Sequence, residues 1–202
     1  MKQLPRLYAI ADAAFGDPIQ LAEALFQGGA RLIQIRNKKA SARELLKQVE
    51  RILALAPADA QILVNDRIDV ALIADAAGVH LGQTDLAAAA ARQILGPGRI
   101  VGISSHNLEQ ALDADRLPVD YIAVGPIFPT TTKENADPVI GLERLAAVCK
   151  TIHKPVVAIG GIKLENAREV LNAGASSIAV IRDLLGDQDV AKRTHRWIAW
   201  LG

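Results

Sequence analysis

The amino-acid sequence predicts an α/β protein, a single-domain (β/α)8 TIM barrel, and three observations carry that expectation. Short runs rich in Val, Ile and Leu alternate with longer, Ala-rich amphipathic runs through eight cycles. The short runs are apolar blocks, as strands of a parallel sheet covered by helices read. The segment after the first run, 11–16, lacks the GxGxxG pattern that the open doubly wound alternative usually shows there. The expected strands are 7–12, 31–36, 61–66, 78–82, 99–105, 119–125, 155–161 and 177–182, with a helix after each. Ser41 and Glu44 have the spacing of a capping box at the start of the second helix. Gly28, Gly29, Gly96, Gly98 and Gly174 fall where three helices should close. Eight units of about 25 residues returning on themselves make a compact barrel, with residues 1–202 as one domain.

Composition narrows the function classes. The 23 Lys plus Arg nearly balance the 22 Asp plus Glu, so no global field draws the chain to nucleic acid or to an anionic membrane. Any anion site must be built locally. One cysteine, Cys149, excludes an intramolecular disulfide framework, and the first six residues lack the apolar core of a secretory signal. A cytoplasmic location is expected. Charge or glycine interrupts every apolar stretch well before the roughly 18 residues a membrane span needs. Homo-oligomerisation is left open.

In a barrel of this kind the polar residues at strand ends and in the following loops build the site. Gln34, Arg36 and Lys38 lie two apart, so an extended chain sends them to one face and Ile33 and Ile35 to the other. With the isoleucines facing the helices, an amide and two cations point into the barrel mouth. An Arg ending a buried strand needs a partner, and phosphate oxygens suit its planar fork. Asn65-Asp66 end the third strand, and Asp85 follows Gly82-Gln83-Thr84 in the fourth unit. Two carboxylates leaving neighbouring strands can share a Mg2+, which takes oxygen ligands. Alternatively Asp85 caps the fourth helix and Asp66 opens the third, and spacing alone leaves both readings open.

In the fifth strand Gly102 and Ser104 share a parity opposite to Val101 and Ile103, so Ser104 faces inward, while Ser104 or Ser105 could instead cap the fifth helix. The longest non-periodic stretch, 126–140, follows the sixth strand. Its Pro126, Pro129, Thr130, Thr131, Thr132 and Lys133 combine stiffness with hydroxyls and an ammonium suited to phosphate oxygens. Gly160-Gly161 and Ile181-Arg182 follow strands seven and eight, where phosphate cradles of this fold lie. Glycines serving only a tight turn are the plainer alternative. His80, within an apolar strand, reads as a hydrogen-bonded structural histidine, and His106, His153 and His195 have no ligand spacing. Trp197 and Trp200 suit packing of the last helix onto the barrel.

These segments in this order resemble the thiamine-phosphate synthase family. The likeness covers nearly the whole chain and is most specific at Gln34-Ile35-Arg36-Asn37-Lys38, Val64-Asn65-Asp66, Gly78 through Asp85, Gly125 through Lys133, and Ile159-Gly160-Gly161-Ile162. The resemblance implies an enzyme that joins hydroxymethylpyrimidine pyrophosphate to a thiazole phosphate. It implies that Gln34, Arg36, Lys38, Asn65, Ser104 and Lys133 hold the pyrimidine pyrophosphate and that Asp66 and Asp85 bind Mg2+. Thr130, Thr132, Gly161, Ile181 and residue 182 would hold the thiazole phosphate. The implied reaction is a dissociative substitution in which Mg2+, Arg36, Lys38 and Lys133 neutralise the departing pyrophosphate without a protein nucleophile, with Ser104 counted beside these cations among the catalytic residues. Position 182, usually serine in the family, is Arg182 here, which could grip the thiazole phosphate or crowd its pocket. The related thiazole tautomerases share the fold but need not keep the carboxylates. A non-catalytic barrel that binds a phosphorylated ligand is the alternative from another class, and Arg182 is the one feature in its favour.

Overall fold

The computed structural model describes residues 4–130 and 137–202. Elements alternate along the chain: β1 (Leu7–Asp12), α1 (Pro18–Gln27), β2 (Leu32–Arg36), α2 (Ala42–Leu55), β3 (Gln61–Asn65), α3 (Ile68–Ile73), β4 (Gly78–Leu81) and α4 (Ala88–Leu95). The second half repeats the alternation with β5 (Ile100–Ser105), α5 (Leu108–Asp115), β6 (Tyr121–Val124), α6 (Gly141–Thr151), β7 (Val156–Ile159), α7 (Ala167–Asn172) and β8 (Ser177–Val180), then the short α8 (Arg182–Leu185) and α9 (Val190–Leu201). The strands pair in parallel in sequence order, and β8 returns to β1 with Leu7 opposite Ile178, so the expected barrel is closed.

Alternation along each strand divides the core into two layers. Tyr8, Ile10, Leu32, Leu63, Tyr121, Ala123, Val157 and Ala179 fill the inside of the barrel. Residues of opposite parity, among them Ile33, Ile35, Ile62, Val64, Val79, Val101 and Ile178, pack outward against the helices. The split confirms the parity by which Gln34 and Arg36 face inward. Because the strands run the same way, their C-terminal ends converge on one rim.

Local chemistry sets the helix ends. Ser41 and Glu44 form the expected reciprocal capping box on α2. Asp17 caps α1 before Pro18, whose missing N–H costs nothing in a first turn. Gly28 is held by close approach: a Cβ there would come within 2.4 Å of the Thr194 side chain on α9. Trp197 of α9 is fully buried, and its indole N–H donates to Asp183, so it packs the last helix down as expected.

Five strands, β3, β4, β6, β7 and β8, stop short of their expected C-terminal limits. Asp66 and Gly160 take positive φ, 62° and 100°, turning the chain off β3 and β7. On the eighth unit the strand ends at Val180, and Arg182 is the first residue of α8. Among the described residues no helix is long and apolar enough to cross a membrane.

Candidate active site

The rim is built from β2 outward. Leu32 lies in the inner core, and two residues on the buried Gln34 donates its amide N–H to Tyr8 Oη at 2.8 Å. Arg36, last in the strand, ion-pairs with the buried Asp12 at the end of β1. The partner that a strand-terminal Arg requires is therefore supplied first by the protein. Asp12 also accepts from Ala14 N at 3.0 Å, which holds its carboxylate in place under the guanidinium. One Arg36 nitrogen makes that contact, and a fork with five donors keeps others for an anion. Beyond the strand end, exposed Lys38 lies 3.5 Å from Asp66.

The two carboxylates predicted to share a cation come together. Asp66 and Asp85 are close enough to hydrogen-bond, and the Asp66 carboxyl is held above its usual range. Partial burial is the main cause and the neighbouring Asp85 adds to it, while Lys38 opposes both. Neither acid caps a helix. Residues Arg67 and Ala87 occupy the N-caps of α3 and α4, with no side-chain cap at either. Asp85 instead accepts from Gly82 N at 2.7 Å, folding its own loop back toward β4. The capping alternative is thus overturned for both. A half-buried acid pair, short of positive charge and bearing only oxygen donors, suits a divalent cation of the Mg2+ type. Asn65, half-buried one residue before Asp66, completes the end of β3.

On β5 the half-buried Ser104 faces inward and its Oγ lies 2.9 Å from His80 Nε2. His80 is hydrogen-bonded on both ring nitrogens, its Nδ1 lying 2.8 Å from Tyr121 Oη, in agreement with a structural histidine. Serine capping of α5 is not observed: Asn107 caps the helix, and Ser105 is buried with its hydroxyl on Asn107 O.

The loops after β6 and β7 interlock. Ile127 N donates to Ile159 O at 2.9 Å and Phe128 N to Gly160 O at 3.0 Å. A Cβ at Gly160 would come within 2.5 Å of Pro126, and one at Gly161 within 2.6 Å of Pro129 O. Both glycines also take positive φ. Close packing and backbone conformation therefore account for the pair without an anion, which gives the plainer reading more weight than the sequence did. Thr130 stands at the end of this interlocked loop, whereas Thr132 and Lys133 lie outside the described residues. After β8, Ile181 precedes α8 and the exposed Arg182 extends its guanidinium over Phe15 of the β1–α1 loop, 5.3 Å from the ring centre. That stacking keeps the arginine at the rim rather than in the barrel core.

Sequence reasoning missed Asp12, Tyr8, Tyr121 and the reason for Gly102. Each tyrosine reads as bulky core at a strand's inward position, and its hydroxyl partner lies far away in sequence. Asp12 was legible only as a strand end. Its pairing follows from the register that sets Asp12 opposite Arg36.

A closed parallel barrel with cations, paired carboxylates and hydroxyls on the rim at its C-terminal strand ends has the architecture of a small-molecule barrel enzyme. The comparisons with known proteins give the family. A profile of the family described as thiamine monophosphate synthase matches residues 7–184, and the chain belongs to that family. A thiamine-phosphate synthase of Koribacter versatilis is 51% identical over 192 residues, which cover 92% of this chain and 91% of that one. The solved structure of a thiamine phosphate pyrophosphorylase from Pyrococcus furiosus superimposes with a TM-score of 0.88 at 40% identity, covering 98% of this chain and 97% of the other.

Proposed function

We propose that this enzyme condenses 4-amino-5-hydroxymethyl-2-methylpyrimidine pyrophosphate with hydroxyethylthiazole phosphate to give thiamine phosphate and pyrophosphate. The carbon–oxygen bond to the pyrophosphate breaks with both electrons leaving on oxygen. The pyrimidine methyl cation so formed accepts the lone pair of the thiazole nitrogen, and no proton transfer is needed at carbon. The observation that carries this reading is the gathering of Arg36, Lys38, Asp66 and Asp85 on adjacent strand ends, with the acid pair joined to Lys38.

Arg36, steadied by Asp12, and Lys38 would offset the charge that grows on the departing pyrophosphate. A charge-assisted contact of this kind contributes on the order of 1.5 to 3 kcal/mol. Lys133 would add a third cation. Gln34, Asn65 and Ser104 would orient the pyrimidine half, and Thr130, Thr132, Gly161, Ile181 and Arg182 the thiazole phosphate. Arg182, exposed and stacked on Phe15, would supply a positive charge where the family usually has serine. Asp66 and Asp85 would hold Mg2+, which when bound supplies a Lewis acid for phosphate oxygens. Positioning and electrostatics then account for the chemistry without a protein nucleophile.

The test is direct. Purified protein given both phosphorylated halves and Mg2+ releases pyrophosphate and forms thiamine phosphate in equal amounts. Ligand binding without release would shift the assignment to a binding barrel.

A further inference from the structure

Five polar side chains stand in single file through the inside of the barrel. Gln34 Nε2 donates to Tyr8 Oη at 2.8 Å, and the Tyr8 and Tyr121 hydroxyls are 2.9 Å apart. Tyr121 Oη lies 2.8 Å from His80 Nδ1, and His80 Nε2 lies 2.9 Å from Ser104 Oγ. Tyr8 and Tyr121 are 1% and 0% exposed, so water does not complete their hydrogen bonding. Apolar side chains are the usual filling at this depth, and a buried phenol costs stability unless its hydroxyl is satisfied. Room has been made for this arrangement. Gly102 lacks a side chain where a Cβ would come within 2.0 Å of Tyr121 Cζ. The Tyr121 ring meets Tyr8 edge-on at 86° and stacks on His80 at 15°.

The chain has a direction. Each phenol owns one proton, and burial raises both tyrosine pKa values, which keeps those protons in place. An amide nitrogen can only donate, so Tyr8 accepts from Gln34 and must pass its own proton to Tyr121. Tyr121 in turn donates to His80 Nδ1. His80 is then left with its proton on Nε2, directed at Ser104 Oγ, and the Ser104 hydroxyl proton is free to point out of the barrel. At the opposite end, Gln34 Oε1 has no protein partner among the described residues, where no buried side-chain polar atom is left unpaired. With its amide nitrogen committed to Tyr8, Gln34 is left to offer that oxygen to a ligand as an acceptor.

We propose that Tyr8, Tyr121 and His80 are positioning residues that fix, through this one-way chain, Gln34 as an acceptor and Ser104 as a donor toward the substrate. The pairing fits a ligand with an N–H over β2 and an anionic oxygen over β5, which an aminopyrimidine pyrophosphate carries; in that respect it rests on the function proposed above. Reversing the chain requires turning the Gln34 amide over, which would invert both mouth groups at once. The two ends of the site, on β2 and β5, are in this sense a single element.

The test has a spectroscopic arm and a kinetic arm. Nitrogen-15 NMR of the ligand-free, full-length protein should show His80 as the neutral tautomer protonated on Nε2, and Tyr121→Phe should let the second tautomer appear. Tyr8→Phe and Tyr121→Phe should each lower kcat by about tenfold, the effect of one lost hydrogen bond. Tyr121→Phe should cost clearly less in a Ser104→Ala background, because part of its effect passes through that hydroxyl. A wild-type His80 protonated on Nδ1 overturns the proposal. So does a Tyr121→Phe effect of equal size with and without Ser104. Should a phenylalanine variant fail to fold, His80→Gln, which keeps an N–H for Ser104, must retain more turnover than His80→Leu; equal losses overturn the proposal. If wild-type protein releases no pyrophosphate, the nitrogen signature still decides whether the chain exists, so failure of the functional reading is distinguishable.

Discussion

Asp66 combines two uncommon properties at one residue. Its backbone is left-handed at φ 62°, and its carboxyl sits half-buried against a second acid. Aspartate and asparagine tolerate that backbone region better than most residues. Asp66→Asn therefore removes charge without forcing a new turn. Together with Asp85→Asn, it is expected to lower turnover by about tenfold or more and to raise the Mg2+ concentration needed for half-maximal rate. Variants that titrate with Mg2+ as wild type does would remove the metal assignment. Cys149 allows a separate check away from the site. Burial pushes its thiol up to about 11, so at neutral pH almost none is thiolate. Alkylation should be slow at pH 7 and quicken about tenfold per pH unit up to roughly pH 10. A rate that levels off near pH 9 would show an ordinary, accessible thiol.

At the scale of elements, the α2 cap links sequence to stability. Hydrogen bonds from the Ser41 hydroxyl and backbone hold the Glu44 carboxyl below its usual range. A carboxyl with a depressed folded pKa contributes stability above its unfolded pKa, and the contribution is lost as pH falls through the depressed value. Ser41→Ala should therefore lower the urea midpoint at neutral pH, and the gap from wild type should narrow in acid. An unchanged gap would remove the carboxylate from the cap. The cap was legible because its two residues are three apart. The strands were legible because they are apolar blocks, and their ends were not, because Asp66 and Gly160 turn the chain by conformation rather than by hydrophobicity. The same contrast runs through the site. Period-two spacing placed Gln34, Arg36 and Ser104 correctly. The link between Tyr8 and Tyr121, 113 residues apart, depends on barrel closure that no local pattern records.

For the whole molecule, closure turns eight separate strand ends into one ring of functional groups, so a ligand bound there touches several units at once. Binding to the folded form alone stabilises by about 2.7 kcal/mol at a hundredfold excess over Kd. In a chain of this size that corresponds to a rise in Tm of roughly 5 to 10 °C. Pyrophosphate should give such a shift with Mg2+ present and a much smaller one without it. Equal shifts in both conditions would mean that the cations alone hold the anion.

The same ring settles where the chain can be handled. Arg6, just ahead of β1, donates to Leu201 O at the end of α9, so both ends of the described chain emerge side by side beneath the barrel floor. The rim proposed to receive the reactants lies on the other side. A purification tag, a surface anchor or a fused partner attached at either end would hang below the catalyst and leave its opening clear, and the nearness of the two ends makes this barrel well suited to being rejoined and reopened elsewhere.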